Sequence, residues 1–434
     1  MGSIWMDGAH LPDFPALHGD ISADVLVIGG GMAGLLCAWQ LQKAGAACVV
    51  AEANTILSGA TKNTTAKITA QHGLIYASLL QNLGREKAGL YYQANHRALE
   101  EYARLCKTIP CDFSRRDNFI YSRTDPEVLE EELNAMDLLG IPGAFSHTPE
   151  LPFPTVGAVV LGDQAQFHPI KFLAAIADGL SIYEHTPIRE LKKGKALTDD
   201  GSIQAKVIVV ATHFPFLNKH GSYFLKMYQQ RSYALALKYA PALEGMYLDQ
   251  QENGLSFRSF GGRLILGGGG HRTGKTGGNW QELEAFVRQN YPHAKITHRW
   301  AAQDCMTLDS VPYIGRYSSR TENLYVATGF NKWGMTGSMA AAQVLTELIT
   351  GKGSEFEELF SPSRNMLCPQ LGLNTLEALR NLLTLSTPRC PHMGCALKWN
   401  PAERSWDCPC HGSRFSGDGR LIDNPAAGDL KKHP

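Results

Sequence analysis

The chain has 434 residues, 44% of them hydrophobic and 19% charged, with 41 basic residues balanced by 41 acidic ones. That length exceeds a single core and implies two or three domains. A net charge of zero leaves no electrostatic footprint for nucleic acid or an anionic membrane, and no run approaches the roughly 18 consecutive apolar residues of a membrane span.

Met1 to His10 lacks the basic and apolar regions of a secretory signal, so a cytoplasmic protein is expected. Asp24 to Ile28 reads as a buried strand. It runs into Gly29, Gly31 and Gly34, with Met32 and Ala33 opening a helical stretch that ends near Lys43. Cys48 to Glu52 reads as a second parallel strand ending in an acid. This is the spacing of a dinucleotide-binding βαβ unit. Gly29 makes the tight turn, Gly31 lets backbone N–H groups approach a pyrophosphate, and Gly34 allows close helix–strand contact. Glu52 stands where a carboxylate accepts ribose hydroxyls. The following loop, Ser58 to Lys67, is small and rich in hydroxyls. Its Thr61, Lys62, Thr64 and Thr65 suit the diphosphate and ring edge of a flavin.

Further along, Gly269 to Thr276 fits a Walker A pattern. Gly277 and Gly278 follow at once, where a P-loop needs helix, so a Gly-rich turn is expected. Arg258, Arg263, His271, Arg272, Tyr313 and Lys332 are candidates to bind a substrate carboxylate or amine. Leu324 to Gly329 is another buried strand ending in glycine, and Phe330 to Ser338 leads into an Ala-rich helix. Gly334, Met335 and Thr336 lie at that helix N-terminus, which can favour negative charge on a reduced flavin ring. No second GxGxxG occurs mid-chain, which argues against a separate NAD(P)H domain.

Leu373 to Leu385 has helical apolar spacing. Beyond it lie Cys390, His392 and Cys395, then Cys408, Cys410 and His411. Two Cys and two His can hold a [2Fe-2S] cluster with both imidazoles on one iron, and four such ligands can also hold structural zinc. The other cysteines, among them Cys37, Cys48, Cys106, Cys111 and Cys305, are scattered and read as buried hydrophobes.

From about Ala23 to Gly351 the chain resembles the FAD-dependent oxidoreductases related to D-amino-acid oxidase, glycine oxidase and sarcosine oxidase. The matching pieces are the Gly29–Glu52 unit, Phe167 to Pro169, Tyr183 to Ile188, Val207 to Thr212, Asp309 to Gly315 and Ala327 to Ser338. With its C-terminal motif, the whole chain resembles a bacterial group of Rieske-containing FAD-dependent oxidoreductases. The resemblance implies an α/β fold: a two-part, Rossmann-like flavoprotein with an antiparallel-sheet substrate subdomain, plus a small all-β Rieske-type domain. Residues 1–350 would form the flavin lobe, its FAD part from 20–85, 155–215 and 305–350 and its substrate part from 86–154 and 216–304. Residues 351–386 would be a linker with a helix, and 387–434 the Rieske domain. Ile188 would lie by the adenine, Ala211 by the cofactor, and the loop after Gly329 by the flavin ring.

The resemblance also implies Cys390, His392, Cys408 and His411 as ligands and a Cys395–Cys410 disulfide. Ser413 would donate to the cluster, where Phe415 replaces the Tyr of high-potential members. Few residues precede Cys390, so the Rieske scaffold should be shortened, either packing its open side on the flavin lobe or holding the cluster poorly. The expected function is a dehydrogenase: a small-molecule electron donor, an amine or amino acid, reduces FAD, and electrons pass to the [2Fe-2S] cluster and an unidentified acceptor. The alternative is an electron-transfer or redox-sensing protein with a protein partner and no small-molecule turnover. A third is a plain oxidase with a vestigial cluster. No catalytic residue stands out.

Overall fold

The structure, a computed structural model, describes residues 2–147, 149–192, 194–217, 220–365, 369–384 and 388–431. Strand Gly19–Ile28 sits inside an eight-stranded sheet whose path runs Tyr313–Arg316, Leu324–Thr328, Gly201–Val210, Gly19–Ile28, Cys48–Ala51, Ser181–Tyr183. Its two neighbours are parallel to it. Val25 to Ile28 and Cys48 to Ala51 are buried throughout, which is why these segments read as continuous apolar runs rather than alternations. Helices Met32–Lys43 and Gly334–Ile349 pack on each other, and Pro169–Ala177 packs beside the first.

A second, nine-stranded sheet runs Lys295–Thr307, Met227–Lys238, Arg263–Arg272, Ser256–Phe260, Met246–Asp249, Ser114–Ser122, Gly157–Gln166, Lys67–Ile68. It is antiparallel except where Met246–Asp249 pairs with Ser114–Ser122. Gly157–Gln166, expected in the FAD part, is therefore a strand of this second sheet. Its partner Ser114–Ser122 lies far away in sequence, and the pairing overrides the chain-order boundary.

Helix Tyr76–Leu105 packs along Gly334–Ile349. Its start is capped by Glu132, whose carboxylate accepts the N–H groups of Tyr76 (2.9 Å) and Ala77 (2.8 Å). Burial pushes this carboxyl up to about 7, against those hydrogen bonds. The unfolded chain releases this proton near 4.5, the folded chain near 7, so this group costs stability as pH rises through that window. Glu132→Gln removes the titration. The stability difference between wild type and variant should shift in the variant's favour between pH 4.5 and 7, measured by urea unfolding; a pH-independent difference would refute the assignment.

The C-terminal unit comprises helix Pro369–Leu383 and a four-stranded antiparallel sheet, Lys398–Asn400, Ser405–Asp407, Arg414–Ser416 and Leu421–Asp423. The helix is inside out. Asn374 and Asn381 are buried (5% and 4% exposed), whereas Leu376 and Leu383 face solvent at 66% and 78%. The polar side is held by the second sheet: Arg272 Nη1 donates to Asn374 Oδ1 (3.0 Å) and Lys275 pairs with Glu377 (2.6 Å). Both basic residues come from the Walker-like segment. Gly269 to Arg272 end strand Arg263–Arg272, and the rest of the segment turns before the next helix begins at Asn279, so no P-loop helix follows.

The short Rieske sheet rests on the flavin lobe, which supplies the support its own scaffold lacks. Gln229 and Gln303 donate to His411 O (2.6 Å) and Gly412 O (2.8 Å). Asn424 Nδ2 reaches back to Thr212 O (2.7 Å) and Phe214 O (2.8 Å). Arg231 forms a buried pair with Glu403. Among the described residues no helix is long and apolar enough to cross a membrane.

Candidate functional site

A cavity of about 1360 Å³ lies between the two sheets and the C-terminal unit. One end is walled by Gly29, Gly31, Met32, Ala33 and Glu52, with Thr61, Lys62, Thr64 and Thr65 along the side. Ile188 and Ala211 line it too, as do Gly334 and Met335 at the start of helix Gly334–Ile349. Three expected residues stand behind the wall. Gly34 packs on the Gly29 carbonyl, Gly329 turns in the left-handed region (φ 72°) against Thr307, and the Thr336 hydroxyl donates to Thr69 O (3.1 Å).

Thr61 Oγ1 accepts the Met32 N–H (3.1 Å), fixing the loop on the helix start. The following first-turn amides have no intrahelical acceptor, which makes this end an anion site. Glu52 accepts N–H groups from Gly30 (2.7 Å) and Asn54 (2.9 Å), and burial raises its pKa despite them. The Thr64–Thr65 backbone is anchored from outside: Trp5 Nε1 donates to Thr64 O and Arg258 Nη1 to Thr65 O, each at 2.7 Å. The cradle is polar at the helix start and roomy enough for a dinucleotide, so these residues fit FAD.

Of the six candidate substrate residues only Lys332 lines the cavity. Arg258 is spent on the loop backbone, Arg272 on Asn374, His271 on Tyr233, and Arg263 on Asp7. Tyr313 is buried under the Arg364 guanidinium. The structure adds ionisable groups that sequence reasoning missed. Lys67, buried in the wall, donates to Tyr247 O (3.2 Å); burial and the nearby Arg258 charge lower it to about 7. Asp304, His213 and Lys332 come from three separate segments to one stretch of wall. Burial raises Asp304 and lowers Lys332 and His213, and His213 Nε2 is buried without a hydrogen-bond partner. No local pattern joins these residues. Lys67 alone had a signal, its place at the end of the hydroxyl-rich loop. Cys305 is a buried thiol in the same wall.

The cavity's far wall is the C-terminal unit itself, through Glu403, Arg414 and Leu421 to Asn424. Behind it the six Cys and His side chains gather by type. The Cys390 and Cys408 sulfurs share a hydrogen bond, and the rings of His392 and His411 meet at 4.9 Å, almost perpendicular. Two cysteines with two imidazoles are the donor set of a Rieske cluster, both imidazoles on one iron. Burial lowers both imidazoles to about 4, keeping them neutral, the form that binds metal. His411 Nδ1 is buried with no hydrogen-bond partner, as a ligand atom awaiting its metal would be. The residues therefore fit a [2Fe-2S] cluster.

The disulfide expected between Cys395 and Cys410 is not formed. Both are free, and their sulfurs lie within 4.8 Å of each other and of the Cys408 sulfur. Ser413 hydrogen-bonds the Cys390 sulfur, and its oxygen accepts the Ala426 N–H (3.0 Å). His411 faces the flavin lobe: its ring lies edge-on to Phe214 (6.3 Å) and Phe224 (6.1 Å).

Residues 24–348 match the family description DAO, FAD dependent oxidoreductase, and residues 381–434 match the Rieske [2Fe-2S] domain. A Bacillus subtilis (strain 168) protein, YhfW, a Rieske 2Fe-2S iron-sulfur protein by name, is 34% identical across 99% of this chain and 97% of its own length. The aligned length is 495 positions against 434 residues here, so the relative carries insertions that this chain lacks. Among solved structures, L-proline dehydrogenase from P. horikoshii superposes with a TM-score of 0.66 at 20% identity, covering 81% of this chain and 98% of its own. Glycine oxidase from Geobacillus kaustophilus does so with a TM-score of 0.66 at 21%, covering 80% and 100%. Matched in family along most of its length and in fold to flavoproteins, the chain belongs to the DAO family of FAD-dependent oxidoreductases, and it joins to that FAD-binding unit a Rieske domain that binds a [2Fe-2S] cluster.

Proposed function

We propose that the protein is a dehydrogenase of a small amine or amino-acid-like substrate, with electrons passing between flavin and the Rieske cluster inside one chain. The observation that carries this reading is the seat of the C-terminal unit. Its Glu403 and Leu421–Asn424 wall the same cavity that Gly31 and Glu52 open, and the His411 ring stands against Phe214 and Phe224 of the flavin lobe.

In this reading Gly29, Gly31, Met32, Ala33 and Gly34 hold the diphosphate, Glu52 the ribose, and Thr61, Lys62, Thr64 and Thr65 the flank of the cofactor. Ile188 and Ala211 serve its adenine side and inner edge, and Gly329, Gly334, Met335 and Thr336 shape the loop and helix start at the flavin ring. Cys390, His392, Cys408 and His411 hold the cluster. FAD supplies two-electron hydride acceptance and the cluster supplies one-electron transfer. Asp304, Lys332 and His213 offer a carboxyl, an amine and an imidazole that burial draws toward their neutral forms, groups able to exchange protons with a bound amino acid.

The names of the fold relatives, an L-proline dehydrogenase and a glycine oxidase, point the same way for substrate class. The test is anaerobic titration of the purified protein with a panel of amines and amino acids. The expected result is loss of the oxidised-flavin absorbance, followed by a Rieske-type EPR signal. Flavin that no small donor bleaches would overturn the dehydrogenase reading, and hydrogen peroxide formed in air without cluster reduction would overturn the internal transfer.

A further inference from the structure

Far from the Rieske cysteines in sequence, two thiols are held in contact by the backbone alone. Cys106 ends helix Tyr76–Leu105, its N–H donating to Tyr102 O at 2.9 Å. The chain then turns tightly, with the N–H groups of Thr108 and Ile109 both donating to Leu105 O at 3.1 Å. Cys111 is pinned from the other side, its carbonyl accepting the His168 N–H at 2.7 Å. The two sulfurs are left 3.3 Å apart, hydrogen-bonded and unbonded covalently. A disulfide bond needs ~2.05 Å, so closing this one requires only a small rotation of the side chains. The pair is also asymmetric: Cys111 is fully buried, while Cys106 is only partly so.

We infer that Cys106 and Cys111 form a thiol–disulfide modification site, oxidised by low-molecular-weight disulfides that reach the Cys106 sulfur. In the first step Cys106 gives up its proton, its thiolate attacks one sulfur of RSSR, and one RS⁻ leaves. In the second, Cys111 loses its proton to solvent and attacks the Cys106 sulfur, expelling the other RS⁻. The protein dithiol loses two electrons and two protons, and one RSSR becomes two RSH. The buried partner makes the first adduct short-lived, because the resolving sulfur is already in contact.

The site bears on the flavin lobe through one turn of helix. Tyr102, immediately before it, donates its hydroxyl to Met335 O (2.9 Å), in the helix start that lines the cavity. Oxidation ties the end of helix Tyr76–Leu105 to the Cys111–His168 turn and so fixes the base on which Tyr102 stands.

The experiment uses the full-length protein with both cofactors bound. It is incubated anaerobically with oxidised glutathione, then alkylated in denaturant and mapped by peptide mass. Labelling of Cys106 and Cys111 should fall together by about tenfold or more, with the joined peptide two hydrogens lighter and dithiothreitol restoring both labels. Cys111→Ser should instead trap glutathione on Cys106. The inference is overturned if both cysteines of the wild type stay fully alkylatable, or if glutathione remains on wild-type Cys106 with no internal bond.

Discussion

Gly34→Ala should yield a protein that does not hold FAD and that has lost about 3 kcal/mol or more of stability. A Cβ on Gly34 runs into the carbonyl of Gly29, with the Gly29 carbon at 3.0 Å and Val27 Cγ1 at 3.4 Å. Neither backbone atom can swing aside as a side-chain tip would. Gly29 is itself trapped, since it sits at φ 110° and its own Cβ position lies 2.5 Å from the Ala211 carbonyl oxygen. The only relief is to push helix Met32–Lys43 off strand Gly19–Ile28, and that moves the first-turn amides away from the place proposed for the diphosphate. Flavin absorbance after gel filtration and thermal unfolding together read the effect. Gly89→Ala is the control: it lies inside helix Tyr76–Leu105 and its Cβ meets nothing within 4 Å, so colour should be that of the wild type and melting no lower. A yellow Gly34→Ala protein with unchanged melting would show that helix and strand are not in the contact described.

Arg414→Met should cost about 3–5 kcal/mol and empty the iron–sulfur site while the flavin stays bound. Arg414 is buried at the hub of the C-terminal unit. It pairs with Glu403 (2.9 Å), Asp407 (3.0 Å) and Asp423 (3.0 Å) and donates to Ser405 Oγ (2.9 Å). Removing the guanidinium leaves Asp407 with only the neutral donors Ser405 and Asn400, and Glu403 with Arg231 as its remaining cation. Burial works against the charged forms of Glu403 and Asp423, yet Arg231 and Arg414 hold both carboxyls below their ordinary range. Their contribution is therefore present above the unfolded carboxylate pKa and lost as pH falls through the lower folded values. The gap in melting temperature between wild type and variant should hold from pH 7 down to about pH 4.5 and narrow below it, as pH falls toward the folded values. An Arg414→Met protein with full cluster absorbance and wild-type melting would refute the network's role.

What could be read from the residues alone was what local spacing encodes. Gly29, Gly31, Gly34 and Glu52 are one strand–helix–strand unit, so their geometry follows from their separation, and the same holds for the two short loops that carry Cys390, His392, Cys408 and His411. What could not be read was assembled across distance. Strand Gly157–Gln166 joins the second sheet because Ser114–Ser122 lies open for it. Asp304, His213 and Lys332 meet only after both sheets close. The spacing of Leu373 to Leu385 announced a two-sided helix, but periodicity does not say which side faces inward. Here the answer came from Arg272 and Lys275, over a hundred residues before Asn374 and Glu377, whose side chains they bind.

The outward leucines of helix Pro369–Leu383 bear on how the protein behaves as a colloid. Forty-one basic and forty-one acidic residues cancel near neutral pH, so molecules approaching one another meet no net repulsion. Under those conditions the short-range attraction of an uncovered row of leucines governs encounters. Salting-out ions strengthen that attraction, and moving the buffer away from neutrality opposes it. Concentrated stocks will keep best with the net charge displaced from zero and without sulfate.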